Sequence, residues 1–560
     1  MPLESHQHPS QCMTDGPRCR KSRWVGLWIR ACTLISGTLA LMWLVLRSGT
    51  KPSRLAYPCQ QAAMGAAVAT FGVPAIVAIV TFRTSVMARL RTLRGQVTLA
   101  TLSAAGLALI AFASFQPAFD AERLAPPEGY RPEVFLVNDA RGIEPGRFGG
   151  VDDLITLMGV HGFKWHRAES VGLTSGPDGI INADDVVLIK INYQWDARGG
   201  TNTDVLRGVI RRVIEHPDTF TGEVVVCENS QFNPIDGFDR TENNAEEIVN
   251  SPHDVVASFQ KQGYQISHYS WTDIRWDSVG EYSAGDTTDG YVVNSTPDPQ
   301  SGIRVSYPKF TTDAGTHISY KYGVWSPTPT PGTYDADKLV VINIPVFKTH
   351  VGYGITASVK NHMGVVTKEL STNSHSRIRD GGLGSFLAEV RMPDLNILDC
   401  IWIHAEGWPN EGPGSPYGWA SRRDQLVASI DPVALDVWAT KYIMISQIIE
   451  NGYSSSAYIE QHPDNPNGNF REYLDNTMNE MLLGGIDTTN DYTAVKLYVW
   501  AGDVDRDGDL DLGDFAEFEA CITGPDEPTE LGCDVFDFNV DDTLDLTDVA
   551  AFQVSFTGSG

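Results

Sequence analysis

The run Val-Val-Leu-Ile-Lys-Ile at Val186–Ile191 restricts the fold more than any other stretch of this chain. It is short and almost wholly apolar, with no polar alternation. An extended segment of that kind is buried on both faces, which places it inside a sheet covered by helices. The residues that follow agree. Thr203 or Asp204 can cap a helix. In it Val205, Leu206, Val209, Ile210, Val213 and Ile214 recur at helical spacing. Glu223–Glu228 (EVVVCE) then reads as a second strand. Strand, helix and strand of these lengths make a βαβ unit, and so a parallel pair. Further strand-to-helix passages run from Leu339–Ile344 into residues 355–363, and from 426–430 into 433–445. Residues 272–335, rich in Gly, Ser, Thr, Pro and Tyr, read as an insertion with β character. The expectation is an α/β central domain over residues 132–499 with a largely parallel sheet.

Charge divides the chain. The formal net charge is -28, yet the first 100 residues carry 12 Lys/Arg against 2 Asp/Glu, and residues 501–560 carry 17 Asp/Glu against a single Arg. An acidic body excludes nucleic acid as a partner, which calls for a basic surface. The basic N-terminal region holds three apolar stretches, residues 31–46, 62–82 and 97–115. Each is close to the roughly 20 residues needed to cross a hydrocarbon core. Arg18, Arg20, Lys21 and Arg23 precede the first, and Arg83, Arg89, Arg91 and Arg94 separate the second from the third. Lys/Arg excess marks the cytoplasmic side. These features predict about three N-terminal transmembrane helices in residues 1–116, a linker at 117–131, a multi-pass membrane location, and an extracytoplasmic C-terminal part.

Polar residues gather where the predicted strands end: Lys190 and Asn192; Glu228 and Asn229; Lys348 and His350; then Lys360-Asn361-His362 on the next helix; Asp399, His404, Glu406 and Asn410; and Asp431. Ligands of open α/β sheets bind at the carboxyl ends of strands. The candidate pocket is therefore Lys190, Asn192, Glu228, Lys348, His350, Lys360, Asn361, Glu406 and Asp431, a set suited to binding a small anionic ligand or to staging acid/base chemistry. Asp431 also fits a helix N-cap, with Pro432 in the first turn. No P-loop, G-x-G-x-x-G, H-E-x-x-H or G-x-S-x-G motif occurs in a supporting context.

The series Leu188-Ile-Lys190-Ile-Asn192, Cys227-Glu228-Asn229-Ser230, Ile344-Pro-Val-Phe-Lys348-Thr-His350, Val359-Lys360-Asn361-His362-Met-Gly364 and Ser429-Ile-Asp431-Pro-Val-Ala-Leu-Asp436 resembles the family of domain of unknown function 362, over roughly residues 132–450. Members of that family often carry ferredoxin-type clusters. This chain has no Cys-x-x-Cys, so no iron–sulfur cluster is expected from it. The family has no settled reaction, and the resemblance names a shape more than an activity.

Residues 500–560 contain an internal repeat. Asp503, Asp505, Asp507, Asp509, Asp511 and Asp514 take positions 1, 3, 5, 7, 9 and 12 of a twelve-residue EF-hand loop, with Gly508 at position 6. Asp537, Asn539, Asp541, Thr543, Asp545 and Asp548 repeat the pattern 34 residues later, with Asp542 where the glycine would stand. Phe515, Phe518 and Ile522 match Val549, Phe552 and Phe556 in the same register. The pair resembles a dockerin, a small α module with one helix per calcium loop. The resemblance implies Ca²⁺ as cofactor and a cohesin-like protein as partner. A Cys521–Cys533 disulfide would close the segment between the repeats. The combined expectation is a membrane-anchored protein with an α/β domain of unknown activity and a calcium-binding tail. An assembly protein docking through that tail, and a redox enzyme using a partner's cofactor, are the alternatives.

Overall fold

The computed structural model describes residues 124–138, 140, 148–195, 198–230, 250–371, 374–406, 419–453, 460–500, 502, 512–524, 533, 536–538 and 543–555. Its centre is a ten-stranded sheet. The strands are β1 (Glu133–Val137), β2 (Val186–Ile191), β3 (Glu223–Glu228), β4 (Ile266–Ser270), β5 (Leu339–Ile344), β6 (Val346–His350), β7 (Gly354–Thr356), β8 (Leu395–His404), β9 (Ser421–Ser429) and β10 (Lys496–Trp500). The helices that concern the site are α1 (Gly149–Val160), α2 (Thr203–Ile214), α3 (Pro252–Gln260), α4 (Ser358–Asn361), α5 (Gly382–Glu389), α6 (Pro432–Ala439) and α7 (Asn469–Leu483). Across the sheet the order is β10-β1-β9-β8-β5-β2-β3-β4, with β6 pairing β8 and β7.

Alternation along each strand sorts the core into two layers. Val187, Ile189 and Ile191 of β2 pack with Leu154 of α1 and Val209 and Val213 of α2. Val186 and Leu188 join the opposite layer with Val359, Phe386 and Leu435. The βαβ unit β2-α2-β3 is parallel, Val187 pairing Val224 and Ile189 pairing Val226. Its helix is capped one residue earlier than expected. Asn202 Oδ1 accepts from the N–H groups of Asp204 and Val205, at 2.8 and 3.2 Å, satisfying two donors that the first turn leaves open. A separate five-stranded antiparallel sheet spans Gly290–Val293 to Thr333–Asp335.

Several expectations are corrected. The sheet is mixed rather than largely parallel. β9 runs antiparallel to both β8 and β1, while β5, β2, β3 and β4 are mutually parallel. Residues 405–420 alone separate β8 from β9, and an antiparallel return needs no crossover helix. The helix expected at 355–363 is shorter. Its first residues form β7, which folds back on β6, and the helical part is α4 plus one 3₁₀ turn at His362–Gly364.

The expected transmembrane helices are not supported. Among the described residues no helix is long and apolar enough to cross a membrane, which takes about 20 apolar residues. The stretches 31–46, 62–82 and 97–115 lie outside the described residues. No described helix supports the membrane-anchored and extracytoplasmic expectations.

The calcium- and metal-binding expectation is corrected likewise. Among the described residues no group of three or more His, Cys, Asp or Glu side chains is placed to hold a metal ion. Asp503, Asp505, Asp507, Asp509, Asp511, Asn539 and Asp541 lie outside the described residues. Of the described ones, Asp548 is spent on backbone donors, accepting from Phe538 and Asp545 N–H groups at 2.9 and 3.0 Å. Asp545 accepts from Thr547 N at 2.6 Å. The C-terminal segment does contain helices α8 (Leu512–Cys521) and α9 (Leu546–Ser555) and a small core of Phe518, Phe536, Leu544 and Phe552. Cys521 and Cys533 form a disulfide.

Candidate functional site

One face of the main sheet carries a polar row. Lys190 of β2, Asn343 of β5, Asn396 of β8 and Ser429 of β9 are successive register partners. Each replaces an apolar residue on the face that otherwise packs Leu188, Val341, Leu398 and Val427. All four are buried. A row of this kind is stable only if each member is hydrogen-bonded. Asn343 Nδ2 donates to Asn396 Oδ1 at 2.9 Å and to the Ser358 carbonyl at 3.1 Å. Asn396 donates to the Ser429 carbonyl at 3.1 Å.

Helix α4 lies over this row. Asp436 of α6 fixes its start, accepting from the N–H groups of Ser358 and Val359 at 2.8 and 3.0 Å. Burial pushes the Asp436 carboxyl up to about 7. Asn361, at the other end of α4, donates to Asn343 Oδ1 at 2.7 Å and accepts from Lys190 Nζ at 3.3 Å. Lys190 also donates to the Ile191 carbonyl and forms a buried ion pair with Glu228. Burial drives the Lys190 ammonium down and the Glu228 carboxyl up, and their mutual attraction opposes both shifts. Three acceptors around Lys190 favour the charged pair.

Above the ion pair is a cavity of about 250 Å³. Glu228, Asn192, Lys348, His350, Lys360 and Asn361 line it, joined by Gln194, Trp195, Thr356, Gly364 and His375. Lys190 stands behind the wall, bonded to two of its lining residues, Glu228 and Asn361. Lys348 and Thr356 are register partners on the β6–β7 hairpin. Lys348 donates to the Gly199 carbonyl. Its ammonium is held well below the usual lysine range, by burial first and by the neighbouring Lys360 second. Burial alone lowers Lys360 to about 7. His350 is driven far down, by burial and then by Lys360, so its ring is neutral. Its Nδ1 lies 2.7 Å from the Val351 carbonyl, which assigns the proton to Nδ1 and the lone pair to Nε2. Burial also takes His375 down to about 4. Three buried atoms of lining residues have no hydrogen-bond partner among the described residues: Asn192 Oδ1, Trp195 Nε1 and Thr356 Oγ1.

Two of the residues anticipated from strand ends lie elsewhere. Glu406 borders a different hollow, of about 400 Å³, with His404, Trp419, Ser421, Asn451 and Tyr453. Asp431 is the N-cap of α6, accepting from Val433 N and Ala434 N at 3.0 Å each and from Thr488 Oγ1 at 2.7 Å. Burial raises it to about 6. Trp195, Gln194, Thr356, Gly364 and His375 were not singled out by sequence reasoning. Trp195 and Gln194 follow Asn192 in the same loop, which is the one signal that could have found them. His362 is buried, its Nδ1 3.1 Å from the Ser358 carbonyl.

Residues 331–441 match the model of a domain of unknown function (DUF362). That span holds Asn343, Lys348, His350, Thr356, Lys360, Asn361, Gly364, His375 and Asp436, and excludes Lys190, Asn192, Trp195 and Glu228. A curated relative, the thylakoid-associated protein sll1697 of Synechocystis, is 35% identical over 116 residues, 20% of this chain and 34% of that protein. The chain thus covers about a third of the length of that relative. No solved structure matches.

Proposed function

We propose that the cavity beside α4 binds a small anion, with Lys348 and Lys360 supplying the charge. The observation that carries the reading is an imbalance. Lys348 and Lys360 both line the cavity, while Glu228, the carboxylate that lines it with them, is committed to Lys190. Glu228 also attracts Lys348, but one carboxylate cannot balance Lys190, Lys348 and Lys360 together; burial disfavours both cavity ammonium groups, and an anion between them offsets that cost. Trp195 Nε1 and Thr356 Oγ1 offer further donors, since neither has a partner among the described residues. The small volume suits an oxyanion or a short-chain carboxylate.

The test is calorimetric titration of the full chain with sulfate, phosphate and lactate at low ionic strength. Saturable binding is expected, weakened about tenfold or more in Lys348→Met, which keeps the buried stem and removes the charge. Absence of saturable binding by all three anions would refute the reading.

A further inference from the structure

The two cavity lysines differ in one respect. Lys348 has an acceptor, the Gly199 carbonyl. Lys360 has none among the described residues; its Nζ lies 5.4 Å from the Tyr353 ring centroid, and the residue is 6% exposed. A charged ammonium in that position gives up hydration without a hydrogen bond in return. A neutral amine gives up far less. The Nζ lone pair is then free, inside a cavity that Lys348 also lines. That environment activates an amine as a nucleophile.

The surroundings fit the carbon such an amine would attack. The His350 side chain lines the same cavity and keeps a lone pair on Nε2. Thr356 Oγ1 and Trp195 Nε1 are buried donors on the cavity wall without partners among the described residues.

We propose that Lys360 is a nucleophile that forms an imine with the oxo carbon of a small oxo acid, whose carboxylate is held by Lys348, Trp195 and Thr356. This rests on the anion-binding reading of the cavity. In the first step the Nζ lone pair adds to the carbonyl carbon and a C–N bond forms. The C=O π pair moves to oxygen. His350 Nε2 relays a proton from nitrogen to that oxygen, giving the carbinolamine. A proton from solvent then lets the hydroxyl leave as water, and the nitrogen lone pair closes the C=N bond of a protonated imine. One water is released, and nothing is oxidised or reduced.

The full chain is incubated with pyruvate and sodium cyanoborohydride, digested, and mapped by mass spectrometry. Hydride reduction fixes the imine as a secondary amine. The expected result is an adduct on Lys360 that saturates with pyruvate, is suppressed by excess sulfate, and is lost in Lys360→Arg. Site mapping on the unaltered protein stands whether or not that variant folds. Sulfate and lactate binding is measured in parallel. Lactate has the carboxylate without the oxo group. Retained sulfate and lactate binding with no Lys360 adduct overturns the imine and leaves the anion reading in place. Loss of binding together with the adduct overturns both. Adducts spread evenly over surface lysines overturn the proposal.

Discussion

Asn361 and Asn343 are joined side chain to side chain, the Asn361 amide donating to Asn343 Oδ1 at 2.7 Å. The bond ties the end of α4 to the polar row that crosses β2, β5, β8 and β9. Position of the cavity wall therefore depends on residues that never touch the cavity. Replacing Asn343 by Leu would strand the Asn361 amide and the Asn396 Oδ1 acceptor in a dry layer. Each unsatisfied buried group costs about 1–3 kcal/mol. Asn343→Leu is expected to lower unfolding free energy by about 3 kcal/mol or more. Urea unfolding checks it, and anion affinity should fall as well because Asn361 loses its anchor.

The Lys190–Glu228 pair should behave as a unit. Both partners are buried, so Glu228→Gln leaves an ammonium without its counter-charge. Breaking a buried pair from one side costs about 3–5 kcal/mol, whereas replacing both members with apolar residues of similar size is often neutral. Glu228→Gln is expected to be strongly destabilising, and Lys190→Met combined with Glu228→Leu to recover most of the loss. A double-mutant cycle measures the coupling. An additive cycle would show that the pair carries no interaction energy.

How much of this site the sequence makes legible depends on the residue. Lys190 stands out because it interrupts an apolar strand, and a lysine there must find an acid. Lys348, His350, Lys360 and Asn361 are visible as polar groups just past a strand. Glu406 and Asp431 carry the same signal, yet they are diverted, one to another hollow and the other into a cap. Position along a strand tells which end a residue occupies; it does not tell which strands become neighbours. The polar row has the same limit, because Asn343 and Asn396 meet only through the register of β5 and β8. Thr356 was hidden for a different reason. Its segment reads at helical spacing, and the pairing of β7 with β6 overrides that local preference. The antiparallel β9 was missed because a buried strand shows the same apolar run in either direction.

Gly364 is required by closeness rather than by backbone angle. A Cβ there would collide with the Glu228 carboxylate and the Lys190 ammonium. The neighbours are pinned by their own ion pair, so they cannot retreat without loosening it. Overpacking of this kind costs about 1–3 kcal/mol. Gly364→Ala is expected to lower the melting temperature and to weaken sulfate binding, since the displaced carboxylate moves toward the cavity. A variant that melts and binds like the parent would contradict the geometry at this position.

Lys360 gives the site a pH dependence whose sign is fixed. Burial alone holds its ammonium at about 7, below the ordinary lysine value of 10.5. A bound anion favours the charged form and raises that value. Below about pH 7 the amine is already protonated, and sulfate binds without taking up a proton. Above it, binding brings a proton along, and affinity falls by up to about tenfold per pH unit until the bound-state value is reached. Sulfate keeps a constant charge over this range, so the slope belongs to the protein. Lys360→Met should make it shallower, leaving the part that Lys348 contributes. Stability of the anion-free chain runs the other way. Between about 7 and 10.5 the unfolded lysine binds more proton than the folded one, so this group's penalty is full below that window and is relieved as pH rises through it. Imine trapping also needs the neutral amine and should quicken as pH rises through about 7. Calorimetry in buffers of different ionisation heat reads the proton uptake directly. Sulfate affinity that stays flat across the window, with no proton taken up, would remove Lys360 from the anion site.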